Sequence, residues 1–181
     1  MAGIDEKLAF VPINIALLTV SDTRTRQDDK SGNLLAELVT AAGHTIAGRD
    51  LLRDDVTAIR AKVQGWISDP KIDCVITTGG TGFTGRDVTP EAVKPLFEKE
   101  IEGFSTLFHM ISFQKVATST MQSRACGGVA HGTYIFCLPG SPGACRDAWD
   151  GILKYQLDIR HRPCNLVEIM PRLEEHRRDK S

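Results

Sequence analysis

The sequence predicts an α/β fold in which a mostly parallel sheet is covered by helices on both faces. Three observations predict it. Residues 13–20, 72–77 and 133–138 are short runs, rich in β-branched residues and almost free of charge, as strands buried on both faces should be. Segments with apolar residues at helical spacing separate them, which is the alternation of a parallel sheet. The chain has 181 residues, 41% apolar and 25% charged, which suits one domain with a sizeable core.

Taken in order, the first strand (13–20) leads into a polar loop over residues 21–30. Ser31 is placed to cap a helix that carries Leu34, Leu35, Leu38, Val39 and Ala42 on one face and ends at Gly43. Residues 45–52 read as a weaker strand, because Arg49 and Asp50 interrupt it. Asp54 or Asp55 opens a second helix with Val56, Ile59, Val63 and Trp66 at helical spacing. The strand at 72–77 ends in a glycine-rich loop. Thr89 then caps a helix with Pro90 at its first position and Val93, Leu96 and Phe97 on one face. Ile101, Phe104, Phe108 and Ile111 form another helical face, read as core or subunit interface. The strand at 133–138 turns at Pro139-Gly140 into a last long helix opened by Ser141 and Pro142, with Ala144, Ala148, Trp149, Ile152 and Leu153 inward. No repeat or linker divides the chain. Residues 1–12 read as an extension, 13–169 as one domain, and 170–181 as a charged tail, frayed from Met170.

Composition narrows the function classes. A net charge of −1 argues against a bulk nucleic-acid binder. No apolar run approaches the roughly 20 residues of a membrane span. Residues 1–12 lack a basic segment followed by an apolar one, so no secretory signal is read and a cytoplasmic protein is expected. The five cysteines include no Cys-x-x-Cys pair, and no ligand spacing suggests a structural metal. His44, His109, His131, His161 and His176 are scattered and read as non-catalytic.

The most informative stretch is CVITTGGTGFTGRDVTPEA, Cys74 to Ala92. Four glycines strip side chains from the backbone between a buried strand and a helix, so that bare N–H groups can converge on an anion. The helix N-terminus adds partial positive charge. Asp87 stands inside this cradle, and a carboxylate beside phosphates points to Mg²⁺. Gly80-x-Gly82-x-x-Gly85 matches the dinucleotide fingerprint literally, but Arg86, Asp87 and Val88 intervene before the helix. A P-loop would need Lys and Ser/Thr where Arg86 and Asp87 stand. In a parallel sheet, ligands bind beyond the carboxyl ends of the strands. Residues 21–30, 78–89 and 139–142 all meet that description and are expected to converge.

With those loops in view, the chain resembles the molybdenum cofactor biosynthesis protein B (MoaB/MogA) family. The residues that carry the resemblance are Leu-Thr-Val-Ser-Asp22, Asp-Lys-Ser-Gly32, Thr-Thr-Gly-Gly-Thr-Gly82, Arg-Asp-Val-Thr-Pro-Glu-Ala92 and Leu-Pro-Gly-Ser-Pro142. Gln-Ser-Arg-Ala125 and Arg-Pro-Cys-Asn165 look more like the MoaB branch. The resemblance implies a three-layer α/β/α sandwich that binds molybdopterin and forms trimers, or hexamers in the MoaB branch. It also implies a nucleotidyltransferase that joins AMP from Mg-ATP to the terminal phosphate of molybdopterin and releases pyrophosphate. Other cofactor-biosynthesis proteins are implied partners. Some bacterial members depart from the pattern near the position of Thr89, whereas Asp87-Val-Thr-Pro90 is intact here.

On this reading Asp87 handles Mg²⁺ and catalysis, unless it merely caps the loop or helix. The resemblance adds Asp54 as a second catalytic acid, although an N-cap role fits it as well. Thr78, Gly79, Gly80, Thr81 and Gly82 are expected to cradle nucleotide phosphates, with Ser21 and Asp22 lining the same pocket. Gly140 and Ser141 are expected to meet the pterin or its phosphate, and Ser141 also suits an N-cap. Arg124 is either a phosphate partner or half of a surface salt bridge. Arg86 is either a charge clamp or the partner of Asp87. The alternative function keeps the pocket and drops the chemistry: a catalytically silent molybdopterin- or nucleotide-binding carrier.

Overall fold

The computed structural model describes residues 3–178. A two-residue strand, β1 (Gly3–Ile4), precedes the main sheet. Strand β2 (Asn14–Val20) is buried at every position after Asn14, which is why it carries no charge. Helix α1 (Lys30–Ala41) is capped by Asp29, whose carboxylate accepts from the Gly32 N–H. Ser31, expected at the cap, lies in the first turn. Strand β3 (Thr45–Leu52) is only half-buried, because it forms one edge of the sheet; an edge tolerates Arg49 and Asp50. Asp55 caps α2 (Val56–Ile67), so Asp54 is free of that duty.

Strand β4 (Cys74–Thr78) is wholly buried. Helix α3 (Thr89–Val93) starts one residue earlier than expected, with Val88 at the cap position and no side-chain cap. The two-residue β5 (Lys99–Glu100), α4 (Glu102–Val116) and β6 (Cys126–Ala130) follow. Neither β5 nor β6 was expected. Strand β7 (Thr133–Leu138) leads into α5 (Pro142–Ala148), a wider π-turn over Trp149–Leu153, and α6 (Lys154–Gln156). The chain closes with β8 (His161–Arg162), α7 (Leu166–Ile169) and α8 (Glu175–Arg178).

The main sheet runs β3-β2-β4-β7-β6-β5. Its first four strands are parallel, while β6 and β5 add an antiparallel end. Alternate residues feed two cores. Ile15, Leu17, Ile76, Phe136 and Leu138 face Leu35 and Val39 of α1, Phe104 and Phe108 of α4, and Trp149 and Leu153. Ala16, Leu18, Val75 and Ile135 face Ile59 and Val63 of α2 and Ala92 and Val93 of α3. The expected three-layer α/β/α sandwich is thus observed. Two expectations for the termini differ. Strand β1 pairs antiparallel with β8, which ties the extension to the domain. Met170 and Leu173 pack against the first core, so helical turns replace a frayed tail as far as the described residues go.

From β2 the chain crosses through α1 to β3 on one side, then through α2 back to β4 on the other. The reversal makes a crevice at the carboxyl ends of β2 and β4, the natural ligand position in such a sheet. The first core contains closely packed aromatics. The rings of Phe104 and Phe136 lie 4.8 Å apart, and Phe104 is 3% exposed. Phe104→Ala is expected to cost about 3–5 kcal/mol of unfolding free energy, measured by urea titration; a loss below about 1 kcal/mol would contradict this packing.

Candidate functional site

Three loops converge where the carboxyl ends of β2, β4 and β7 lie side by side. They surround a cavity of about 420 Å³ lined by Ser21, Asp22, Arg24, Asp54, the backbone of residues 79–82, Arg86, Asp87, Gln122 and Gly140. The approach is tight enough to exclude side chains. A Cβ on Gly79 would stand 2.1 Å from the Val20 carbonyl oxygen, and Gly79 has φ +102°. Gly80 has φ +63°, and its Cβ would meet Thr89 Oγ1 at 2.4 Å and Asp54 Oδ1 at 2.7 Å. Only glycine accepts both the backbone angle and the contact.

Each acid is held differently. Asp22 takes a two-pronged bond from Arg86, with Nε and one terminal nitrogen each 2.8 Å from a carboxylate oxygen. The guanidinium holds the Asp22 carboxyl below the usual range. Asp87 accepts from the Thr84 N–H at 2.8 Å and the Thr84 hydroxyl at 2.6 Å. Burial pushes its carboxyl up, but the Thr84 bonds and the Gly82 N–H outweigh that and leave it low. Asp54 has weaker support, the Arg86 charge and the Asp22 backbone, which does not offset its burden. Desolvation, then the charges of Asp22 and Asp87, hold its carboxyl above the usual range. Three carboxylates around one small cavity would repel a polyphosphate by themselves. A divalent cation would relieve Asp54 and attract phosphate at once.

The expected residues divide into two sets. Ser21, Asp22, Asp54, Gly79, Gly80, Thr81, Gly82, Asp87 and Gly140 line the cavity. Thr78, Ser141 and Arg124 do not. Thr78 is buried beneath the loop and donates to the Pro139 carbonyl at 2.9 Å. Ser141 caps α5 by accepting from the Ala144 N–H. Arg124 lies behind the loop, where its Nε donates to the Gly82 carbonyl at 2.8 Å and a terminal nitrogen to the Asp87 carbonyl at 2.8 Å. Arg86 pairs with Asp22 rather than Asp87.

Sequence reasoning missed Arg24 and Gln122 as lining residues. Arg24 donates to the Ser31 hydroxyl at 3.1 Å and to the Gly140 carbonyl at 2.8 Å, tying the first loop to the third. A cation within a loop expected to face phosphate was the available signal. Nothing in the local sequence marks Gln122. A larger cavity, about 770 Å³, lies behind the glycine loop near α3, α4 and β6. Its cations Lys94 and Arg124 are already paired with Glu100 and Glu91, and the three loops do not converge there, so size does not select the site.

Fold and site together define an α/β protein with an acid-lined cleft, flanked by Arg24 and Arg86, at the carboxyl edge of a parallel sheet. A family model described as a probable molybdopterin binding domain matches residues 16–159. The molybdenum cofactor biosynthesis protein B of Escherichia coli K12 is 49% identical over 156 residues, 86% of this chain and 92% of that protein. The protein of the same name from Bacillus anthracis is 43% identical, covering 84% of this chain and 90% of that one. Among solved structures, a molybdenum cofactor biosynthesis protein B superposes with a TM-score of 0.83 at 39% identity, over 93% of this chain and 99% of that one. The tungsten cofactor synthesizing protein MoaB of Pyrococcus furiosus gives 0.70 at 33% identity, over 77% and 89%. The chain belongs to the molybdenum cofactor biosynthesis protein B family.

The root of the glycine loop depends on Thr89, which is fully buried and donates its hydroxyl to the Gly79 carbonyl at 2.8 Å. Thr89→Val is expected to destabilise the protein by about 1–3 kcal/mol in urea unfolding, whereas Thr89→Ser should stay close to wild type. Equal losses in the two variants would show that methyl packing, not the hydrogen bond, sets the cost.

Proposed function

We infer that the chain acts in molybdenum cofactor biosynthesis by binding molybdopterin and adenylylating it with Mg-ATP. The observation that carries this reading is the meeting of Asp22, Asp54 and Asp87 with the bare backbone of residues 79–82 in one cavity. In the reaction, an oxygen of the pterin's terminal phosphate attacks the α-phosphorus of ATP. A new P–O bond joins AMP to the pterin, the bond to the bridging oxygen of the β-phosphate breaks, and pyrophosphate leaves. Two phosphates repel one another, so the protein's contribution is positioning and charge neutralisation.

The backbone of residues 80–82 lines the cavity, and Arg24 and Arg86 supply positive charge at its rim. Asp54 and Asp87 would hold Mg²⁺, which when bound neutralises the polyphosphate. Among the described residues no group of three or more His, Cys, Asp or Glu is arranged to hold a metal. Two carboxylates suit Mg²⁺, which completes its shell with phosphate oxygens and water.

Chromatography of purified protein with molybdopterin and Mg-ATP tests the reading. Wild type is expected to yield adenylylated pterin and pyrophosphate, while Asp87→Ala should lose at least about 100-fold in turnover and retain most of its pterin affinity. Pterin binding without product in the wild type would place the protein with carriers instead. The pH dependence follows from Asp54. Its raised carboxyl keeps a proton to higher pH than an ordinary Asp, and the protonated form cannot hold the cation. Activity should therefore fall on the acid side as Asp54 protonates. Asp54→Asn should move that limb to lower pH and raise the Mg²⁺ requirement; an unmoved limb would remove Asp54 from cation handling.

The same reading includes self-association as a trimer or a hexamer. Leu107, Met110, Phe113 and Val116 stand three residues apart on α4 and are about half exposed, between 47% and 59%, an apolar stripe unusual on a monomer. Light scattering is expected to give a mass of three or six chains, and Phe113→Glu should lower it. A monomeric wild type would refute this.

A further inference from the structure

Resting on the adenylyl-transfer reading, we propose that Arg124 is a positioning residue that sets the stance of the Asp87 carboxylate from behind the glycine loop. The Asp87 carboxylate is held within its own loop, by Thr84 and the Gly82 N–H. That small ring needs an anchor on the body of the domain. Arg124 supplies it. Its side chain joins the Gly82 carbonyl and the Asp87 carbonyl, each at 2.8 Å, and so grips the two ends of the ring. A further terminal nitrogen pairs with Glu91 on α3. The residue's own N–H donates to the Thr81 carbonyl at 3.0 Å.

The geometry suits Arg and no other cation. A guanidinium presents five donors in a rigid plane and can serve three acceptors in different directions, while an ammonium is a point charge on a flexible stem. The Arg124 side chain is 26% exposed, and the Phe83 ring lies over its guanidinium at 5.6 Å. Three of the guanidinium's N–H groups are committed to protein acceptors, and the side chain does not line the cavity that holds Asp87. Arg86, by contrast, is 68% exposed and faces the cavity through Asp22. Arg124 therefore acts through Asp87 rather than on the substrate.

Arg124→Lys separates the two roles, because lysine keeps the charge and loses the fork. We compare wild type, Arg124→Ala and Arg124→Lys by adenylylation kinetics, by hydrogen exchange of residues 82–88, and by thermal unfolding to confirm that each is folded. Both variants are expected to lower kcat by about 100-fold while KM for Mg-ATP moves by less than about threefold. Exchange in the loop should quicken at least about tenfold in both. Full rescue of kcat by Lys, or a raised KM at unchanged kcat, would make Arg124 a phosphate ligand and overturn the proposal; so would unchanged exchange. If the wild type forms no adenylylated pterin, the functional reading fails, and the exchange comparison still decides whether Arg124 braces the loop.

Discussion

The site depends on one contact of backbone against backbone at Gly79. Strands β2, β4 and β7 are neighbours, so their ends leave the sheet about 5 Å apart. Ordinary side chains there would push the loops open. Instead the Gly79 N–H donates to the Leu138 carbonyl at 3.0 Å, and a Cβ on Gly140 would stand 3.1 Å from the Gly79 Cα. On its other side Gly79 rests against the Val20 carbonyl. One residue thus locks three strand ends together. Its positive φ turns the chain sharply, and the Thr89 hydroxyl fixes that turn from below. Asp22 and Asp87 lie on loops that leave this lock.

Bringing three carboxylates together has an electrostatic cost, and the chain distributes it unevenly. Arg86 relieves Asp22, and Thr84 with the Gly82 N–H relieves Asp87. The remaining repulsion falls on Asp54, together with desolvation. Because the folded-state value is raised, the folded protein binds the Asp54 proton more readily than the unfolded chain does. Stability then falls as pH rises between the unfolded and folded values, and the ionised group stays a net burden at neutral pH. Burdens of this kind cluster at functional sites. Here the burden sits where a cation would remove it.

Much of this was legible in the sequence, for physical reasons. Strands buried on both faces must be apolar throughout, so residues 13–20 and 72–77 announced themselves. The glycine loop was legible because backbone crowding admits only glycine at Gly79 and Gly80. Strand β6 was not, because Cys126-Gly-Gly-Val-Ala130 has little β-propensity of its own. Its glycines answer to tertiary neighbours: a Cβ on Gly128 would lie 2.3 Å from the Phe97 ring. Charged, two-residue β5 carries no periodic signal at all. The first helix's cap lies two residues before the expected Ser31, because Asp29 and Ser31 both suit that role, and the sequence leaves Asp54 and Asp55 open as caps for the second. Only the fold decides which one meets the free N–H groups.

The two arginines show where local motif reading stops. Both stand in polar segments near the glycine loop, and sequence offers no way to separate them. Position in the fold does. Arg86 reaches forward to Asp22 through an exposed two-pronged pair at the cavity. Arg124 reaches the loop from behind through bonds to two backbone carbonyls, which it ties to the body of the domain. An exposed cation paired with a cavity acid and a half-buried one bonded to the loop's carbonyls are different devices made from the same side chain. The difference lies in which acceptors the sheet brings within reach.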